Sequence, residues 1–348
     1  YKELPSWVKQ FNDRQISDSL MKLGWNKSLS DQAYLQYATA DEKNYEGKPF
    51  GANQTKMPYN LTRSANEGFS KLSTTPWGNT LTVELAKSAV LAEELGKDGV
   101  TDMLAVSFSS PDYVGHSFGP NSWEIVDNYI KLDEELGRMF DFLDATVGKG
   151  KYTAFLSADH AVAHVPGFMK ENKLPGGLLD DKAAITEMNT AIKAKFGIDK
   201  LVVSLTNYQV HFNRDLLDSL NADTKAINQF MVHYLMKKDY ILNAFPTSEI
   251  LTSPMPQYLR EKIANGYLYN RSGDIQMVLK SGYIDGGATG TTHGLWYSYD
   301  AHIPLLWYGF GIKQGRSSKR VYMHDIASTV ASLLKIQEPS GNIGNPIE

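Results

Sequence analysis

Short apolar runs alternate with amphipathic helical spacing along this chain. Residues 103–108 (Met-Leu-Ala-Val-Ser-Phe) read as a buried strand, and residues 152–157 as another. Between them Ile125, Tyr129, Leu132, Leu136, Met139 and Leu143 recur at alternating spacings of four and three. That is one face of a long helix, with Ser122 as its N-cap. A late strand is predicted over residues 303–307. A last helix starts near Asp325, with Ile326, Val330, Leu333 and Leu334 on one side. Strand–helix–strand order predicts an α/β fold, a three-layer sandwich around a mainly parallel sheet. Such sheets bind ligands beyond the carboxyl ends of their strands, so chemistry is sought just after Phe108 and Ser157.

Residues 168–284 break this rhythm. They hold strand-like runs at 201–205 and 208–212, a helix around Ile227, Met231, Tyr234 and Leu235, and a turn-rich piece over 246–273. They read as an insertion that packs over the site as a cap, within a single α/β domain spanning residues 1–348.

Composition narrows the chemistry. The chain has 348 residues, 42% hydrophobic and 21% charged, as in an ordinary globular enzyme. No run approaches the ~18 apolar residues of a membrane span. Tyr1-Lys2-Glu3-Leu4-Pro5 lacks the basic start and apolar core of a leader. The formal net charge is −4 and there is no long basic cluster, so a nucleic-acid partner is not expected. An anionic substrate stays open, because bound metal ions can dominate the field of a site. With no cysteine, any metal must be held by His, Asp or Glu.

Three segments supply such ligands: residues 109–116, ending in Asp112 to His116; residues 157–160, ending in Asp159-His160; and residues 290–294, Gly-Thr-Thr-His-Gly, with His293. Carboxylate oxygen and neutral imidazole nitrogen suit zinc and other divalent ions. Two such ions side by side can clamp the attacking and leaving oxygens of an in-line phosphoryl displacement. Each motif alone is common by chance; their shared placement at strand ends gives them weight together.

In this order the three motifs resemble the alkaline phosphatase superfamily. The flanks, from Pro5-Ser6-Trp7-Val8 through Asp112-Tyr113-Val114-Gly115-His116 to Tyr299-Asp300-Ala301-His302, are similar to its PafA-type phosphate-irrepressible branch. The resemblance implies a zinc-dependent phosphate monoester hydrolase with two zinc ions and a phospho-enzyme intermediate. By it, Asp112, His116 and His293 hold one zinc, and Asp159 and His160 help hold the second. It implies small phosphate esters as substrates and a periplasmic location. It also places the Ser or Thr nucleophile, an Asp ligand and the phosphoryl-binding Lys, Arg and Asn upstream of Tyr1. The chain then corresponds to the C-terminal two-thirds of the enzyme, with its own N-terminal segment, as a separate chain, a candidate partner. The best local hydroxyl cluster, residues 73–75, resembles only a spacer before the next helix. Two other readings stand beside this one: a phosphodiesterase or nucleotide pyrophosphatase with the same metals, and an inactive metal-binding fragment. Family members carry Gly where this chain has Ala161, which matters only if that position needs a positive φ.

The other polar residues have plainer readings. His164 is expected at the rim of the site, His302 as an anchor of the late strand, and His211, His233 and His324 as strand, helix-surface and helix-start residues. Asp127 and Asp133 are expected to be solvated or salt-bridged on the long helix. Asp300 is a candidate buttress for a ligand histidine. Trp296 and Tyr297 suit either a substrate entrance or core packing.

Overall fold

The structure, a computed structural model, describes residues 2–62 and 68–347. Its helices are α1 (Ser6–Asp13), α2 (Ile16–Leu23), α3 (Asp31–Tyr34), α4 (Trp77–Ala92), α5 (Ser110–Phe118), α6 (Trp123–Leu143), α7 (Pro166–Glu171), α8 (Asp181–Phe196), α9 (Arg214–Ser219), α10 (Thr224–Leu235), α11 (Gln257–Asn265), α12 (Ser298–Ala301) and α13 (Asp325–Leu334). Its strands are β1 (Thr153–Ser157), β2 (Gly177–Leu179), β3 (Val202–Thr206), β4 (Gln209–Phe212), β5 (Ile241–Pro246), β6 (Ile275–Leu279), β7 (Tyr283–Asp285) and β8 (Leu305–Gly309). The chain divides into one unit of residues 1–147 and 160–302 and a smaller one of residues 148–159 and 303–348.

The first unit has two main cores. In its N-terminal part, Trp25, Tyr34, Tyr59 and Leu61 pack with Val114 and Phe118 of α5 and with Trp123 and Ile125 of α6. This anchors the apolar side of α5. Farther along, β3-β4-β6-β5 form an antiparallel sheet. Met188 and Ile192 of α8 and Ile227, Met231 and Leu235 of α10 are buried with Val210 and Met277 of that sheet. Residues 168–284 contain this sheet, and its core continues into Ala163 and Leu295 on either side of the predicted ligand loops. The second unit pairs β1 with β8 antiparallel, from Thr153 opposite Gly309 to Ser157 opposite Leu305, and adds α13.

Most predicted elements are present. Ser122 caps α6, its Oγ accepting the Ile125 N–H at 3.2 Å. Sheets and helices intermix as an α/β chain requires; among the described strands the β2–β7 ladder is parallel and the others antiparallel. Three local readings need correction. Residues 103–108 form no strand, and Met103 and Leu104 are exposed. An apolar run becomes a strand only where a neighbour takes its backbone hydrogen bonds, and no described strand pairs with this one. The turn-rich piece 246–273 contains α11. Finally, Ile125, Leu132 and Met139 of the predicted face of α6 are buried, but so are the polar Glu124, Asp127, Asn128 and Glu135, whereas Tyr129 is 56% exposed.

Asp127 accordingly is not solvated. Its carboxylate accepts the Trp25 Nε1–H at 2.6 Å, the Tyr34 hydroxyl at 2.5 Å and the Ser28 N–H at 2.8 Å, with Lys131 at 3.5 Å. Three donors and a cation satisfy a carboxylate that has left water.

Candidate metal centre

Asp112 and His116 stand four residues apart on α5, on one face of the helix. Two close backbone approaches hold that helix. A Cβ at position 78 would lie 2.2 Å from the Ser110 Oγ, so glycine there lets α4 meet the start of α5. At the other end the Gly47 N–H donates to the Ser117 carbonyl at 2.6 Å.

The loop bearing His293 is laced to the same helix. The Thr291 N–H donates to the His116 carbonyl at 2.9 Å, and the Gly290 N–H to the Tyr45 carbonyl at 2.9 Å. Gly290 has φ +73°, and a Cβ on it would lie 2.3 Å from the His116 carbonyl oxygen. Only glycine fits that approach. On its other side the loop meets residues 161–163: the Ala163 N–H donates to the Thr292 carbonyl at 3.2 Å and the Thr291 hydroxyl to the Ala163 carbonyl at 2.8 Å. His160 is thereby carried beside His293, their rings stacked with centroids 3.4 Å apart. Ala161 has no positive φ, so the missing glycine costs nothing here.

The side chains converge on one oxygen. Asp112 Oδ1 lies 3.3 Å from the His116 Nε2, 3.6 Å from the His293 Nε2 and 3.8 Å from the His160 Nε2. The His116 Nδ1–H donates to the Thr291 carbonyl at 2.7 Å, and the His160 Nδ1–H to the Ala161 carbonyl at 2.8 Å. Carbonyls only accept, so both Nδ1 atoms carry a proton, and in the neutral ring, the form that binds a metal, each Nε2 turns a lone pair toward the carboxylate. Lone pairs facing an anion at this range call for a cation between them. Ligands ~2.1 Å from a tetrahedral zinc stand ~3.4 Å from each other. The contacts of Asp112 with His116 and His293 match that spacing, and these three ligand atoms lie within 4.8 Å of one another. The donor set therefore fits a divalent metal of the zinc type. All four side chains are partly exposed, which leaves the centre open.

Asp159 lies two residues past the end of β1, is exposed, and belongs to the smaller unit. The other candidates fall as follows. Asp300 is buried; its Oδ2 accepts the Leu295 N–H at 2.7 Å, and its backbone carbonyl accepts the Ala161 N–H at 2.7 Å. Burial raises its pKa, while the Leu295 hydrogen bond and the nearby His160 pull the other way. It thus supports both ligand loops. The His164 Nδ1 lies 2.7 Å from the Asn121 Oδ1, and its ring stacks on Phe168; burial lowers its pKa. His302 is exposed. Trp296 and Tyr297 pack against the sheet core, the Tyr297 hydroxyl donating to the Leu279 carbonyl at 2.7 Å. Ser73 and Thr75 donate to Ser70 and Leu72 carbonyls in a 3-10 turn. The supporting roles of Gly290, Thr291 and Tyr45 escaped sequence reading; the Gly-Thr-Thr run before His293 was the only signal.

The model of the type I phosphodiesterase / nucleotide pyrophosphatase family matches residues 2–296. The chain is 42% identical to alkaline phosphatase PafA of Elizabethkingia meningoseptica, covering 99% of this chain and 63% of that protein. It is 43% identical to alkaline phosphatase PhoV of Synechococcus elongatus, covering 99% of this chain and 62% of that one. The crystal structure of wild-type alkaline phosphatase PafA superposes with a TM-score of 0.95 at 43% identity, covering 99% of this chain and 66% of that one. The chain thus spans a little under two thirds of the relatives it matches.

Proposed function

The chain belongs to the type I phosphodiesterase / nucleotide pyrophosphatase family and has the alkaline phosphatase superfamily fold, and from that premise we propose that it is the metal-bearing part of a zinc-dependent phosphate monoester hydrolase. The observation that carries this is the convergence of His116 and His293 on the Asp112 Oδ1. Asp112, His116 and His293 would hold one zinc, and Asp159 and His160 would contribute to a second. Bound there, the metals would supply Lewis-acid stabilisation of the negative charge on the oxygens of a phosphoryl group in transfer. The chain's own residues do the positioning. The Thr291 carbonyl accepts the His116 Nδ1–H and fixes the ring. Asp300 ties the loop of Ala161 to Leu295 and so keeps His160 beside His293.

By the same resemblance, the nucleophile and the phosphoryl-binding cations would lie outside this chain. Residues 168–284 would act as the cap: the ring of Tyr208, at a hairpin tip, comes within 3.9 Å of where a Cβ on Gly294 would sit. A periplasmic location belongs to the same proposal and rests on resemblance. The family's own description favours a second reading, a phosphodiesterase; the alkaline phosphatase relatives at 42–43% identity favour the monoester.

The test is hydrolysis of an aryl phosphate monoester against the matching methyl diester by the longer protein, with zinc measured on the same samples. The monoester is expected to be the faster substrate, and His293→Ala to lose zinc and most of the rate. A large diester preference would overturn the monoesterase reading. Unchanged zinc content in the variant would overturn the centre.

A further inference from the structure

β3 and β4 are joined by a two-residue loop, Asn207-Tyr208, since Thr206 pairs with Gln209. Both loop residues have positive φ, +53° and +57°. Such a tight hairpin turn favours asparagine followed by glycine, because its second residue also sits in the left-handed region. This chain has the asparagine but puts tyrosine where the glycine belongs. A large aromatic residue in that conformation is strained, and it persists only where its surroundings hold it.

What holds Tyr208 lies at the two ends of the loop that carries His293. Its hydroxyl donates to the Oδ1 of Asp285, the last residue of β7, at 2.7 Å. Its ring comes within 3.9 Å of where a Cβ on Gly294 would sit, and stands edge-on to Trp296 with centroids 6.4 Å apart. Its carbonyl accepts the Met277 N–H of β6 at 2.8 Å, so the ring is carried by the sheet and not by the loop it touches. Tyr208 is 7% exposed and shares a core with Leu295.

The loop needs such support. Residues 286–289, Gly-Gly-Ala-Thr, are all exposed, and a Cβ on Gly286 would meet nothing within 4 Å. The metal ligand is followed directly by Gly294, whose φ of +107° only glycine adopts with ease. Glycine leaves the backbone beside the ligand free to turn, and the side chain that faces it is the Tyr208 ring. We propose that Tyr208 is a positioning residue for the metal centre: it clamps Asp285 and Gly294, and so holds His293 at its distance from Asp112. This rests on the reading of Asp112, His116 and His293 as metal ligands. The strained turn is then the cost of aiming a cap residue at the centre.

The experiment is zinc titration of the 348-residue chain against a competing chelator, with urea unfolding of the same proteins. Tyr208→Phe keeps the ring and removes only the hydroxyl. It should bind zinc about tenfold more weakly, the lower end of what a group orienting a ligand from outside contributes. Asp285→Ala should lose as much, and the double variant no more than either alone, since both break one bond. Met231→Ala, in the same core but on α10, should lower the urea midpoint and leave zinc affinity unchanged. By linkage, zinc should slow amide hydrogen exchange over residues 206–210 of the parent chain, and do so less in Tyr208→Phe. Equal zinc affinity in the parent and Tyr208→Phe would overturn the clamp and leave the centre standing. Losses that add in the double variant, or an equal loss in Met231→Ala, would also overturn it. A parent chain that binds no zinc would overturn the centre itself, and the clamp with it.

Discussion

The histidines of the centre are fixed by what their remote nitrogens touch. His116 keeps its Nδ1 proton on the Thr291 carbonyl, and that single bond decides which nitrogen faces Asp112. Removing one of three ligands in His293→Ala should weaken metal binding by at least ~100-fold, as read by a competitive zinc chelator. Gly290→Ala is expected to do similar damage without touching a ligand. It would put a Cβ 2.3 Å from the His116 carbonyl oxygen at φ +73°, costing more than about 1 kcal/mol and displacing His116. Zinc affinity and denaturant midpoint measured on the same variant check this. That Asp112, His116 and His293 come together was legible from their residue types and the order of their motifs. Gly290 was not, because its necessity is a contact with residue 116, invisible until the chain has folded.

At the scale of an element, α6 shows where periodicity misleads. Its length and cap followed from the spacing of apolar residues and from Ser122. Its buried face followed only in part: Ile125, Leu132 and Met139 are buried as the spacing predicts, but the pattern counts apolar residues and misses the buried Asp127, which brings its own donors. Asp127→Ala would leave the Trp25 indole N–H and the Ser28 N–H without their buried acceptor, and the Tyr34 hydroxyl without its own. The loss should be about 3–5 kcal/mol by urea unfolding. Residues 103–108 teach the complementary lesson. Their composition is that of a strand, yet strand formation depends on a partner's backbone, which no local pattern contains.

For the molecule as a whole, buried acids govern the response to pH. The folded-state pKa values of Asp41, Glu46 and Glu124 are raised to about 6, 9 and 8. Between the ordinary carboxyl range and those values the folded chain holds protons that the unfolded chain has released. Stability should therefore fall as pH rises from about 5 to about 9, and Glu46→Gln should flatten the decline. Urea midpoints across that range decide it. The small β1–β8 sheet bears on handling of the protein. Each strand pairs on one side only among the described residues, and Leu306, Tyr308 and Phe310 are 60%, 51% and 70% exposed. Open strand edges beside apolar side chains are templates for a second copy. A concentrated stock of this chain should thus grow in light scattering over time, and Leu306→Lys should slow that growth. Shelf life, on this view, is set by two short strands rather than by the metal centre.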